Sequence, residues 1–122
     1  MSTRSHIGII NKGGSIEVVY CHHDGYLEFT GKRLVDNHNS APMARELLKL
    51  GNMSFVGSPM RDDDVNDSMM FDNLTDYQKS IAEHFTDIEF FYLYAVNRTA
   101  GWWVSNDGKD WKLVSELLDN KQ

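Results

Sequence analysis

The segment Glu89-Phe90-Phe91-Tyr92-Leu93-Tyr94-Ala95-Val96 is apolar at both odd and even positions. Side chains alternate across a strand, so a run with no polar parity must be covered on both faces. Its aromatic and branched residues favour extended backbone. This predicts a central strand, and the rest of the chain has to supply its neighbours and its cover.

Other strands of the sheet are legible at the start. Ile7, Ile9 and Ile10 are followed by Lys12-Gly13-Gly14-Ser15 and then by Ile16, Val18, Val19 and Tyr20, which reads as a β-hairpin around a Gly-Gly turn. A further strand is expected over Trp102-Trp103-Val104-Ser105, with Asn106-Asp107-Gly108 turning the chain towards Trp111-Lys112-Leu113. Between these, a helix is expected to begin near Tyr26–Thr30. A second has Ser40 as its cap, Pro42 in its first turn and Gly51 as its stop. A third follows Asn73 or Thr75 with Leu74, Tyr77, Ile81 and Phe85 on one face, and a short one covers Val114 to Leu118. The fold class expected is α+β: a mostly antiparallel sheet, formed by the N-terminal hairpin and the C-terminal strands, with three to four helices packed against it.

At 122 residues the chain is expected to be one domain, 1–122. Residues 58–72, with Pro59 and Asp62, Asp63, Asp64 and Asp67, read as an acidic surface loop within it. Twelve Lys+Arg against 18 Asp+Glu give a formal charge of −6. Residues 1–57 carry +1 and residues 58–122 carry −7. That balance disfavours a coat for long nucleic acid. The single Cys21 excludes an internal disulfide. With neither a leader-like apolar run nor a spanning segment, no membrane partner and a cytoplasmic location are expected.

Two short motifs stand out: Thr3-Arg4-Ser5-His6-Ile7-Gly8, and Tyr20-Cys21-His22-His23-Asp24-Gly25-Tyr26. With Glu46-Leu47-Leu48-Lys49-Leu50-Gly51-Asn52-Met53-Ser54, they resemble a widespread set of small proteins of tailed phages and prophages. Members open with (Ala/Ser)-Thr-Arg-Ser-x-Ile-Gly and continue into Cys-His-Trp-Asp-Gly-Tyr-Pro. Here His23 stands at the usual Trp, Leu27 at the usual Pro and Phe29 at the usual Gly. The resemblance covers residues 2–56 and implies a phage context, with action in the host cytoplasm. The function it suggests is that of a counter-defence protein sequestering a small nucleotide signal, cyclic oligonucleotide or ADP-ribose-derived.

The residues themselves indicate binding rather than turnover. His22, His23 and Asp24 are metal-ligand types, but adjacent strand residues face opposite ways, so no metal site is assigned. Cys21 beside His22 is not the geometry of a nucleophile and its base, and no serine elbow, phosphate loop or GxGxxG occurs. No catalytic residue, cofactor or enzymatic activity is assigned. Phosphorylated nucleotides need guanidinium forks and flat aromatic plates. Candidate forks are Arg4, Arg98 and Lys32 or Arg33; candidate plates are Tyr26, Trp102 and Trp103. The expected ligand-binding set is Arg4, Ser5, His22, His23, Asp24, Tyr26, Arg98, Trp102 and Trp103. Counting outward from a turn between Gly13 and Gly14 places Arg4 near residue 23, so the two motifs should share one end of the hairpin; a plain Arg4–Asp24 ion pair is the competing expectation. An alternative function is inhibition of a host defence protein, such as a CRISPR effector, through the acidic face carrying Asp62, Asp63, Asp64, Asp67 and Asp72. Seven aromatic residues between Phe90 and Trp111 also suggest a homo-oligomer, a dimer or higher, that buries them.

Overall fold

The computed structural model describes residues 3–59, 68–96 and 101–120. The first hairpin pairs β1 (Ser5–Ile10) with β2 (Ile16–Cys21), antiparallel, from Ile10↔Ile16 out to Ser5↔Cys21. Gly14 at φ 99° makes the turn possible. The register is centred on Gly13, half a residue before the Gly13–Gly14 midpoint, which shifts each partner by one, so Arg4 lies level with His22 rather than His23.

The aromatic run forms β6 (Phe90–Ala95), which lies between β1 and β7 (Gly101–Ser105). It pairs parallel with β1, Ser5↔Phe90 through Ile10↔Ala95, and antiparallel with β7. Short strands complete the sheet. β3 (Met53–Phe55) meets the end of β2 in parallel at Cys21↔Met53, and β4 (Ser58–Pro59) pairs with β3. β5 (Met69–Phe71) lies antiparallel to the start of β2, and β8 (Lys112–Leu113) to β7. Among the described residues the sheet is therefore mixed, mostly antiparallel with two parallel pairs, and the α+β class holds. The expected loop at 58–72 is narrower than drawn, because Ser58–Pro59 and Met69–Phe71 are strands. Two- and three-residue strands are too short to show alternation. Asp62, Asp63, Asp64 and Asp67 lie outside the described residues.

Among the described residues, four helices cover the sheet on both faces. After a π-helical turn at Leu27–Gly31 come α1 (Lys32–Asn37) and α2 (Ala41–Leu48); α3 (Leu74–His84) and α4 (Val114–Asn120) follow later. The Ser40 hydroxyl caps α2 by accepting from Met43 N–H, and Asn73 caps α3 by accepting from Asp76 N–H. On one face Ile7, Ile9, Val19, Tyr92, Tyr94 and Trp102 pack under Leu34, Leu47, Leu48 and Val114. On the other, Ile10, Ile16, Val18, Phe91 and Leu93 pack under Tyr77 and Ile81 of α3. Phe91, Tyr92, Tyr94 and Trp102 are thus buried within the chain. Phe90, Trp103 and Trp111, the other aromatic residues that suggested a second copy, are only partly buried.

His6 is the ionisable residue sealed between the sheet and α3. It is 1% exposed, its Nδ1 shares a 2.9 Å hydrogen bond with the Tyr77 hydroxyl, and Phe85 and Phe91 meet its ring edge-on. Burial lowers its pKa to about 4, with Asp87 pulling weakly the other way. The unfolded imidazole titrates near the ordinary 6.5, so the folded chain binds fewer protons between those values. The contribution is complete above pH 6.5 and is lost as pH falls towards 4. It is worth about 3 kcal/mol over that window. Urea unfolding at pH 7 and pH 4.5 should show a larger acid loss for the native chain than for His6→Gln, and equal losses in both would contradict the assignment.

Candidate functional site

The two motifs meet at one end of the sheet through the backbone. Gly25 N–H donates to the Thr3 carbonyl at 2.8 Å, and the buried Tyr92 hydroxyl donates to the Gly25 carbonyl at 2.7 Å. Arg4 and Tyr26 each stand one residue from the Thr3–Gly25 bond, so their Cα atoms lie within roughly 13 Å of each other. Gly25 is required by close approach. A Cβ there would fall 2.7 Å from both Cβ and Oγ of Ser5 and 2.9 Å from the Thr3 oxygen.

Side chains leave this seam in two directions. Ser5 pairs with Cys21, and by alternation Arg4 shares the α3 face with His6 and Tyr20, where the Tyr20 hydroxyl also holds His22. The Arg4 side chain is 41% exposed, and its Nη1 donates to Asp87 Oδ2 at 3.1 Å; Asp87 is more exposed still. The competing Arg4–Asp24 pair is replaced by this one, because the α3–β6 connection delivers Asp87 to the Arg4 side of the sheet. Arg4 Nε is buried with no aligned hydrogen bond, although the guanidinium sits close enough to Tyr20 to favour its phenolate. Burial is the larger influence on that phenol and raises its pKa.

The Tyr20 hydroxyl shares a 2.5 Å hydrogen bond with His22 Nδ1, and the rings of His22 and His23 meet edge to face at 4.4 Å. The expectation that adjacent histidines diverge is corrected here. His22 N–H and His23 N–H both donate to β3, to Met53 O and Ser54 O. In a regular strand only alternate N–H groups face one neighbour, so the chain has already turned after Cys21. The imidazoles therefore share one surface with Tyr20 and Arg4. Among the described residues, no group of three or more His, Cys, Asp or Glu is placed to hold a metal ion.

The opposite face takes the rest of the motif. Asp24 adopts φ 56°, which Asp tolerates better than most residues, and its carbonyl accepts from Thr30 Oγ1 at 2.7 Å. Tyr26 is 39% exposed and tilts against Phe29. Phe29 also carries the Arg33 guanidinium 3.8 Å from its ring centroid, a contact outside the expected binding set. Its signal was the i, i+4 spacing of Phe29 and Arg33 in a helical stretch.

Three members of the expected set are not available as drawn. Ser5 is fully buried beneath Gly25, and Trp102 is 1% exposed, its indole N–H donating to the His38 carbonyl. Strand parity turns both into the helix-covered interior. Trp103 is half-buried on the α3 face, opposite Leu93 in mid-sheet and so away from the Arg4 end. Arg98 lies outside the described residues. Cys21 is buried, and burial raises its thiol pKa to about 11, so it is not a thiolate at neutral pH. Elsewhere, a groove of about 370 Å³ beside α2 is lined by Pro42, Met43, Leu47 and Leu50, with Glu46 as its charged wall. Asn37 and His38 also line it.

Gly25→Ala should force the seam apart and cost about 1–3 kcal/mol in urea unfolding, as overpacking against backbone does; unchanged stability would show that the close approach is not needed. Among the described residues, no helix is long and apolar enough to cross a membrane. Comparison with protein-family models, with curated proteins and with solved structures finds no match for the chain.

Proposed function

We propose that this chain captures a small phosphorylated nucleotide signal and holds it without cleaving it, acting as a phage counter-defence protein in the host cytoplasm. The observation that carries the reading is the Thr3–Gly25 seam. It brings the only two motifs that stand out in the sequence to one end of the sheet, with an accessible guanidinium on one side and an exposed tyrosine on the other. Arg4 supplies a fork for phosphate oxygens, since its present partner Asp87 is a solvent-exposed carboxylate that an incoming dianion can displace. His22, His23 and Tyr20 add donors on the same surface.

Capture without turnover is part of the proposal, and the state of the seam's one thiol supports it. Cys21 is buried and its thiol is protonated at neutral pH, so it is not poised as a nucleophile. A sequestering protein works by mass action and needs affinity beyond that of the receptor it starves. The seam is built within one copy, so the reading does not depend on a dimer.

Incubating the protein with cyclic di- and trinucleotides and cyclic ADP-ribose derivatives, then removing free ligand and heating, should release one class intact. Arg4→Ala should lower that capture by about tenfold or more, the loss of a charge-assisted phosphate contact, while an exposed ion pair contributes only about 0–1 kcal/mol to stability. Retention of no signal at micromolar protein, or undiminished capture by Arg4→Ala, contradicts the proposal.

A further inference from the structure

The segment just beyond the seam is built in an unusual way. Asp24 is a non-glycine residue at positive φ, Thr30 clamps its carbonyl, and Leu27–Gly31 forms a π-helical turn. Such turns are rare and recur at functional sites, because the wider spacing redirects side chains. Here it presents three groups together. Tyr26 and Phe29 have ring centroids 6.1 Å apart with planes inclined at 53°, and Arg33 lays its guanidinium on the Phe29 ring at 3.8 Å. Tyr26 and Arg33 are both exposed.

A guanidinium has two faces. In this arrangement one rests on Phe29, which fixes the plane of a side chain that would otherwise be mobile, and the exposed position of Arg33 leaves the other to solvent. Guanidinium planes and tilted aromatic rings are surfaces on which nucleobases stack. A bare phosphate site would use neither the ordered plane nor the tyrosine edge.

We propose that Arg33, backed by Phe29 and flanked by Tyr26, is the base-stacking platform of the site, and that it favours a purine-bearing ligand over a pyrimidine one because the larger ring system covers more of the plane. The inference rests on Arg4 as the phosphate anchor of the same seam. The Thr3–Gly25 bond joins the two backbone segments that carry Arg4 and Tyr26, so a ligand held by both halves wraps around this end of the sheet.

Titration calorimetry with ADP, UDP and pyrophosphate separates the two halves, since the three probes share a diphosphate and differ in the base. The native chain should bind ADP about tenfold or more tighter than pyrophosphate, with UDP between them, as one stacked base provides. Phe29→Ala and Arg33→Lys, the second of which keeps the charge and removes the plane, should bring ADP down to the pyrophosphate affinity and leave pyrophosphate itself within about twofold. Arg4→Ala should weaken all three. Circular dichroism of each variant confirms the fold, which these exposed or half-buried positions should tolerate. ADP binding no tighter than pyrophosphate, with pyrophosphate still dependent on Arg4, would overturn the platform and leave the anchor standing. Failure of all three probes to bind, or pyrophosphate binding indifferent to Arg4→Ala, would overturn the anchor and the platform with it.

Discussion

Gly25 donates its N–H to Thr3 and accepts the hydroxyl of Tyr92 from the central strand, and it does so in a space that has no room for a Cβ. These contacts tie the start of β1, the end of β2 and the middle of β6 to one point. The tyrosine hydroxyl has no water to fall back on, so a buried Tyr92 without the Gly25 carbonyl would carry an unsatisfied donor costing about 1–3 kcal/mol. Once the point is closed, the chain after β2 has to leave the sheet across the face opposite Arg4. The positive φ of Asp24, the Thr30 clamp and the π-helical turn all serve that exit. The division of the seam into a cationic side and an aromatic side follows from it.

Much of the fold was legible because its long elements advertise themselves locally. The hairpin, the two capped helices and the aromatic strand were each readable from parity, caps or turn residues, and they form over nearly the expected residues. Direction and layering were less accessible. β1 and β6 are separated by most of the chain, and a run that is apolar at both parities looks the same whether its neighbour is parallel or antiparallel. β3, β4 and β5 span three, two and three residues, below the length at which alternation can be recognised. The single long α3 supplied a second helical layer, which covers Phe91 and Leu93.

The candidate site was partly legible for a similar reason. That Thr3-Arg4-Ser5 and Cys21 to Tyr26 should meet follows from hairpin geometry, and a register error of one residue does not undo it. Which side chains share a face is far more sensitive. The chain turns after Cys21, bringing His22 and His23 together where a continued strand would separate them. Ser5 and Trp102 were chosen for their chemistry and are interior by parity. Phe29 and Arg33 became a pair only when the π-helical turn and α1 were seen as one continuous helical stretch. Asp87 was hidden altogether, since nothing near it in sequence points to Arg4.

The central claim is that ligand is held across the Thr3–Gly25 seam, and an isotope-resolved NMR titration with ADP locates the binding surface directly. The account predicts that the largest shifts fall on the Arg4 side-chain Nε–H and on the amides of Gly25 and Tyr26, with the indole of buried Trp102 unmoved. Shifts concentrated instead on Met43, Leu47 and Leu50 along the α2 groove, with the seam silent, would contradict it.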